Sequence, residues 1–427
     1  MSAVGQLGPQ PWMTAAPTRA VIAALTADGA KVRFVGGCVR DAVLKRAIRD
    51  VDIATADPPA TVIALLERAG IRAIPTGIAH GTVTAMVGDS SFEITTLRRD
   101  VACDGRHAEV SFTDDWKEDA ARRDFTINTL SAAPDGVIHD YFGGLRDLGE
   151  GRVRFVGNAR RRIEEDVLRL LRFFRFNAFY GRPPPDVDAL AACRLLAPRI
   201  ATLSAERVRD EMLKILMAPD PAGVLLLMRG ERVLEHVLPE AADFGRLRLL
   251  AWFEDRGIRI EGVTSDPLRR LAAVLTVDAA GAAAVAARLR LSNREAERLA
   301  SLAEPPGDLM PTPGMDPRTA RRALRRLGPE RFRDLILLSW AGRKAVHSRT
   351  PPTETDSWLA LLELARAWTP PVLPVQGRDV LAAGVPPGPA VGVLLARLDR
   401  WWEEGDYRAS RDEALARLQA LMAEEES

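Results

Sequence analysis

Asp50 and Asp52 stand two residues apart in an apolar, partly β-branched run (Val51, Ile53), downstream of Gly36–Gly37 and Arg40, in FVGGCVRDAVLKRAIRDVDIAT. In a strand, side chains at i and i+2 share a face, so both carboxylates project together while Val51 packs the other way. Two aspartates on one face repel each other unless a cation lies between them, and hard oxygen ligands of this kind suit Mg²⁺. A Mg²⁺ pair about 4 Å apart activates an attacking oxygen and stabilises a leaving phosphate. The paired glycine lets backbone N–H groups approach a triphosphate at Gly37, with Arg40 at hand to neutralise it. Two aspartates at this spacing also occur at solvated strand ends, so the pair alone does not decide the chemistry.

A second group lies in EEDVLRLLRFFRF. At about 100° per residue, Asp166, Arg169, Arg172 and Arg175 form a polar stripe that winds along one continuous helix. Val167, Leu170, Leu171 and Phe174 fill the opposite arc. An ordinary solvated face mixes signs at i,i+4, whereas this one sets three arginines beside a single carboxylate. Asp166 and Arg169 together present an acceptor and donors, the pattern that reads the Watson–Crick edge of a cytosine or an adenine. Arg172 and Arg175 suit phosphate. An internally salt-bridged, buried helix has the same composition.

The positioning elements follow from periodicity. β-type runs (VRFVGG, VDIAT, GTVTAMV, SFEITTL) alternate with helical stretches up to about Arg152, and afterwards the strand signals stop. Segments 158–180, 204–217, 221–236, 266–303, 317–345 and 355–368 read as helices, with Pro-rich breaks between them. Residues 1–18 lack periodicity and read as a loose arm. Segment 97–121 is polar and loop-like, and ARRDFTINTL reads as a helix start with Phe125, Ile127 and Leu130 facing the core. Glu93 is either a third carboxylate opposite the aspartate pair or a structural residue. His80 serves to position its strand rather than as a base.

The net charge of +1 is uninformative globally, but nine arginines between Arg152 and Arg182 face only Glu164, Glu165 and Asp166. Such clustering suits a phosphate-rich ligand. Three well-separated cysteines fit a reducing, cytoplasmic setting. No basic-then-apolar leader is seen, and no apolar run approaches the ~20 residues of a membrane helix.

The order GGxxRD, DxD, HGTVT, RRDFTIN, EDxxRxxRxxRF, carried by Gly36 to Asp41, Asp50 and Asp52, His80 to Thr84, Arg122 to Asn128 and Glu165 to Phe176, resembles the class II tRNA nucleotidyltransferases. These are the CCA-adding enzymes and their bacterial poly(A) polymerase relatives. SAERVRDEMLKIL, from Ser204, is a weaker echo of the same family. The resemblance implies an α+β protein: a small mixed-sheet nucleotidyltransferase head (19–152), then an elongated all-helical neck (153–217), body (218–369) and tail (370–427). It implies addition of CMP, CMP and AMP from CTP and ATP to the 3′ end of tRNA with Mg²⁺ on Asp50 and Asp52, or else poly(A) or A-only addition. It assigns nucleotide contact to Arg123 and base selection to Asp166 and Arg169. Arg172 and Arg175 then serve the triphosphate or the tRNA backbone. The 97–121 loop accompanies the final adenosine addition, DYFGGLRDL closes the head, and the tail near Gly388 is a tRNA contact. A small-molecule nucleotidyltransferase shares the glycines and aspartates but has no need of the arginine-rich neck.

Overall fold

A computed structural model describes residues 3–48, 50–103, 108–347 and 349–425. The chain divides into two compact units, Met1–Pro239 and Glu240–Ser427. The expected boundary at 217/218 therefore falls inside the first unit, and the one at 369/370 inside the second.

The first unit is built on a mixed sheet. Its strands are β1 (Ala3–Gln6), β2 (Val32–Val35), β3 (Val51–Thr55), β4 (Arg72–Gly77), β5 (Thr82–Val87) and β6 (Ser90–Thr96), with the short β9 (Ser131–Ala132) and β10 (Val137–His139). Their order is β1-β10-β9-β2-β3-β6-β5-β4. A separate antiparallel pair, β7 (Arg98–Cys103) and β8 (Ala108–Phe112), follows β6. Helices α1 (Pro11–Thr14), α2 (Ala16–Leu25), α3 (Gly37–Val43), α4 (Pro59–Arg68), α5 (Trp116–Ala121) and α6 (Gly144–Glu150) belong to this sheet region. Helices α7 (Ala159–Glu165), α8 (Leu168–Tyr180), α9 (Val187–Leu196), α10 (Ala205–Leu216) and α11 (Pro221–Gly230) complete the unit.

Four sequence expectations are corrected here. Residues 1–18 are not a loose arm: β1 pairs antiparallel with β10, Trp12 meets Phe34 edge-on at 4.8 Å, and the buried Thr18 hydroxyl donates to the Trp12 carbonyl. An edge strand held by backbone bonds needs no apolar alternation, and all four β1 residues are exposed. Segment 97–121 is a strand pair plus a helix rather than a loop; its 104–107 portion lies outside the described residues. Arg122 and Arg123 follow the end of α5 instead of opening a helix, and a 3₁₀ turn over Thr126–Asn128 comes next. The single helix expected over 158–180 breaks between α7 and α8, where Asp166 has extended backbone (φ −152°, ψ 107°). Its carboxylate accepts the Leu168 N–H at 3.1 Å and so caps α8 instead of riding on it.

The DYFGGLRDL segment shows how the head is closed. The Asp140 carboxylate accepts the N–H groups of Phe142, Gly144 and Leu145 at the start of α6. Gly144 lies so close to the 3₁₀ turn that a Cβ there would stand 2.1 Å from the Thr126 carbonyl oxygen. Gly144→Ala should therefore cost about 2 kcal/mol through forced backbone displacement, measured as a lower urea midpoint. An unchanged midpoint would mean that this approach is not fixed.

The second unit holds α12 (Phe244–Trp252), α13 (Pro267–Val274), α14 (Ala279–Arg288), α15 (Asn293–Ala303), α16 (Pro317–Val346), α17 (Pro352–Ala367), α18 (Gly377–Ala382), α19 (Pro389–Glu404) and α20 (Arg411–Glu425). The expected single helix over 266–303 is three helices. α16 is kinked at Gly328 (φ 80°), just before Pro329. Arg269 and Arg270 are buried against Glu254, each at 2.6 Å, and Arg269 also meets Asp334 at 2.9 Å. Val375, Val380, Leu394, Leu398, Ala414, Leu418 and Leu421 form the core of the last helices. Among the described residues no helix is long and apolar enough to cross a membrane.

Candidate active site

β3 is a central strand, antiparallel to β2 and parallel to β6. Ile53, Ala54 and Thr55 are buried, which anchors the strand and leaves Asp52 and the preceding Asp50 at its N-terminal end. Asp52 is in register with Glu93 on β6, so a third carboxylate adjoins the pair. Burial, then the negative charges of Glu93 and Asp50, push the Asp52 carboxyl up to about 6, with Arg123 alone opposing them. Among the described residues no group of three or more His, Cys, Asp or Glu side chains is placed to hold a metal ion. A crowded carboxylate set of this kind fits Mg²⁺, which binds through one or two carboxylates and takes its remaining oxygens from phosphates and water.

Asp52 lines a cavity of about 430 Å³ together with Gly36, Gly37, Arg40, Arg123 and Asn128 from the sheet region and Asp166, Arg169 and Arg172 from the helices. Six arginines (40, 122, 123, 169, 172 and 207) face three aspartates (52, 124 and 166) in its wall. The lining thus presents more guanidinium than carboxylate groups to an anionic ligand, although Asp41, Asp119 and Glu165, outside the lining, pair with four of these arginines. Asp50 and Arg175 do not line it, and neither does His80, whose backbone carbonyl accepts from Arg98.

Each arginine is held by a specific acceptor. Buried Asp119 takes Arg122 at 2.8 Å and Arg123 at 3.2 Å. Gly36, with φ 66°, lets Arg123 pass close by: a Cβ there would meet the guanidinium at 3.1 Å. Arg169 donates to Glu165 at 2.8 Å and to the carbonyls of Arg162 and Arg122, each at 3.2 Å. Arg172 pairs with buried Asp124 at 2.5 Å. Asp124 also accepts the Asn128 amide at 2.9 Å, and Asn128 in turn accepts Arg40 at 2.7 Å. Arg40 is itself buried, paired with Asp41 and stacked 4.2 Å over the Tyr180 ring.

These partners revise the sequence reading at three points. Gly36 N–H already donates to the Leu130 carbonyl, so Gly37, opening α3, is the glycine whose N–H has no intrahelical acceptor. Arg175, expected beside Arg172 as a phosphate contact, is bound to buried Glu211 at 2.6 Å and is not among the residues that line the cavity. Eight of the nine clustered arginines are ion-paired, four of them to Asp124, Asp147, Asp186 and Glu211, outside the window in which the excess was counted. Sequence reasoning missed Asp119 and Arg207. Asp119 was visible as a carboxylate three and four residues before two arginines, the spacing of helical ion pairs.

Residues 32–154 match the family described as "Poly A polymerase head domain", and residues 186–244 that described as "Probable RNA and SrmB- binding site of polymerase A". The human "CCA tRNA nucleotidyltransferase 1, mitochondrial" is 35% identical over 402 residues, which cover 90% of this chain and 86% of that protein. The chain belongs to the CCA-adding tRNA nucleotidyltransferase family. A crystal structure of the Bacillus stearothermophilus CCA-adding enzyme in complex with CTP superposes with a TM-score of 0.75 at 27% identity, covering 97% of this chain and 99% of that one. The Thermotoga maritima CCA-adding enzyme, complexed with tRNA, shares the fold at a TM-score of 0.63 and 19% identity, over 95% and 94% of the two chains. The mixed-sheet head and helical remainder expected from the motifs are thus the fold of the CCA-adding family.

Proposed function

We propose that this protein adds CMP, CMP and AMP in turn to the 3′ end of tRNA, using CTP and ATP and choosing each nucleotide with its own side chains. The observation that carries this reading is the shared cavity, lined both by Asp52 and by Asp166 and Arg169. The terminal tRNA hydroxyl forms the new bond to the α-phosphate, and the bond to pyrophosphate breaks. Asp50 and Asp52, with Glu93 beside them, would hold Mg²⁺, which when bound neutralises the triphosphate and lowers the barrier to attack. Gly37 and the arginine frame, above all Arg123 and Arg172, orient the phosphates, and Arg40, also in the lining, holds Asn128 in that frame. Arg175 braces α8. The relatives' complexes with CTP and with tRNA agree with this assignment. A cytoplasmic setting fits the buried free thiols of Cys38 and Cys193, and the tail near Gly388, where Pro389 opens α19, is proposed as a further RNA contact.

The test is to incubate tRNAs lacking the whole terminus, lacking only the last adenosine, or complete, with labelled CTP or ATP, and to read product lengths. Three-step completion followed by arrest is expected. Repeated adenosine addition would instead make this a poly(A) polymerase, and addition of adenosine alone would make it an A-adding enzyme. In the same assay Asp166→Ala or Arg169→Ala should let UTP and GTP compete, since an unpaired base edge costs about 1–3 kcal/mol. Arg172→Ala should weaken all nucleotides alike, because phosphate contacts carry no base information. Equal losses of selectivity in all three variants would remove this division of labour.

A further inference from the structure

The segment SAERVRDEMLKIL forms α10, whose Val208, Met212, Ile215 and Leu216 are buried. Its polar residues make two cross-helix ion pairs four residues apart. Glu211 takes Arg175 in the middle of α8 at 2.6 Å, and Arg207 takes Asp166 just before α8, with its Nη2 3.0 and 2.8 Å from the two carboxylate oxygens. The buried Glu211 pair fixes α10 against α8, so the root of Arg207 is rigidly placed. Both Arg207 and Asp166 line the nucleotide cavity.

We propose that Arg207 is a positioning residue that sets nucleotide choice by fixing the Asp166 carboxylate; this rests on the base-selecting role given to Asp166 above. An ionised carboxylate offers about four acceptor positions. Here Leu168 N–H takes one and Arg207 takes two. One remains for an incoming donor, matching the exocyclic amino group that cytosine and adenine present on their Watson–Crick edge and uracil lacks. The pair is partly open to solvent, with side chains 34% and 27% exposed, so it adds little to stability. Its consequence is geometric: Asp166 stands at a break between helices, where extended backbone alone would leave its carboxylate free to turn.

The experiment measures kcat/KM for CTP and UTP, and equilibrium binding of both nucleotides without tRNA, for the full chain and for Arg207→Ala, Arg207→Lys and Asp166→Ala. Arg207→Ala is expected to reduce CTP-over-UTP discrimination about tenfold, equivalent to about 1.4 kcal/mol, with most of the change in binding and KM. Arg207→Lys should restore most of it, and Asp166→Ala should lose it entirely. If Asp166→Ala loses discrimination while Arg207→Ala keeps it, Arg207 has no positioning role and the base-reading assignment stands. Retained discrimination in Asp166→Ala would instead overturn the base-reading assignment itself. An equal fall for both nucleotides in Arg207→Ala would make the residue merely structural. Urea unfolding of each variant checks the fold, and if Arg207→Ala does not fold, the near-isosteric Arg207→Gln takes its place: it is expected to lower the CTP-over-UTP ratio, and an unchanged ratio in folded Arg207→Gln overturns the proposal.

Discussion

Asp52→Asn is expected to lower incorporation of both CTP and ATP by about three orders of magnitude or more, or about 4 kcal/mol of transition-state stabilisation. The amide keeps the shape of the carboxylate but not its charge or its ability to hold Mg²⁺ through two oxygens. The same substitution should not weaken the fold in the presence of a chelator. In the folded protein, burial and the neighbouring Glu93 and Asp50 raise the Asp52 carboxyl from 3.8 to about 6. The folded state therefore binds this proton more tightly than the unfolded chain does. The resulting stability is present below pH ~4 and is lost as pH rises through about 6. At pH 8 the parent carries an ionised, crowded carboxylate, and its removal should return about 1–2 kcal/mol after allowance for solvent screening. Urea unfolding in chelator and nucleotide incorporation in Mg²⁺ test the two halves separately. Near-normal turnover would remove Asp52 from the chemistry; a lower urea midpoint would trace the lost activity to folding. Such opposition between stability and activity is what a site built from like charges predicts.

The legibility of this site in the sequence follows the range of the interactions involved. Asp50 and Asp52 were readable as a candidate pair because a period of two brings such residues to one face of any strand, although β3 begins at Val51 and Asp52 lines the cavity while Asp50 does not. That Glu93 is the partner of Asp52 was not readable, since the register of β3 on β6 depends on pairing between distant segments. Arg169 and Arg172 were found by helical spacing, but their fixed directions come from Arg122, from Asp124 and from Glu165. The apparent excess of charge around them vanished for the same reason: a local window counts the arginines and misses carboxylates 36 or 48 residues away. Asp166 misled the helical reading because a side chain that accepts a backbone N–H competes with the helix for that group. The strand at Ala3–Gln6 was invisible because its hydrogen bonds are backbone bonds, which any side chains permit. The arrangement of head and neck motifs was therefore legible from order and spacing, whereas the rigidity of the cavity was not.

That rigidity is most exposed at Asp124. Burial alone would raise its carboxyl, but the charge of Arg172, the Asn128 amide and the Phe125 N–H outweigh burial and hold it below the usual carboxylate range. One side chain thus joins the neck helix α8 through Arg172 to the α3 arginine, Arg40, through Asn128. Asp124→Ala should cost about 3–5 kcal/mol, because it leaves a guanidinium and an amide in a partly buried wall without their acceptor. Asp124→Asn should cost less and depend on pH. A lowered carboxyl contributes stability above its unfolded value near 4 and loses it as pH falls through its folded value. The gap between parent and Asp124→Asn should therefore be full at pH 7 and close in acid. Both variants should lose CTP and ATP use in parallel, since Arg172 is released and Asn128, the acceptor of Arg40, loses its anchor, without disturbing Asp166 and Arg169. Adding Arg172→Gln to Asp124→Asn should recover part of the stability, by removing the stranded charge, and none of the activity. Urea midpoints from pH 3 to 8 and incorporation rates for both nucleotides measure each term. A pH-independent gap would show that Asp124 supports the fold through its shape alone, and a selective loss of one nucleotide would place it in base reading rather than in the phosphate frame.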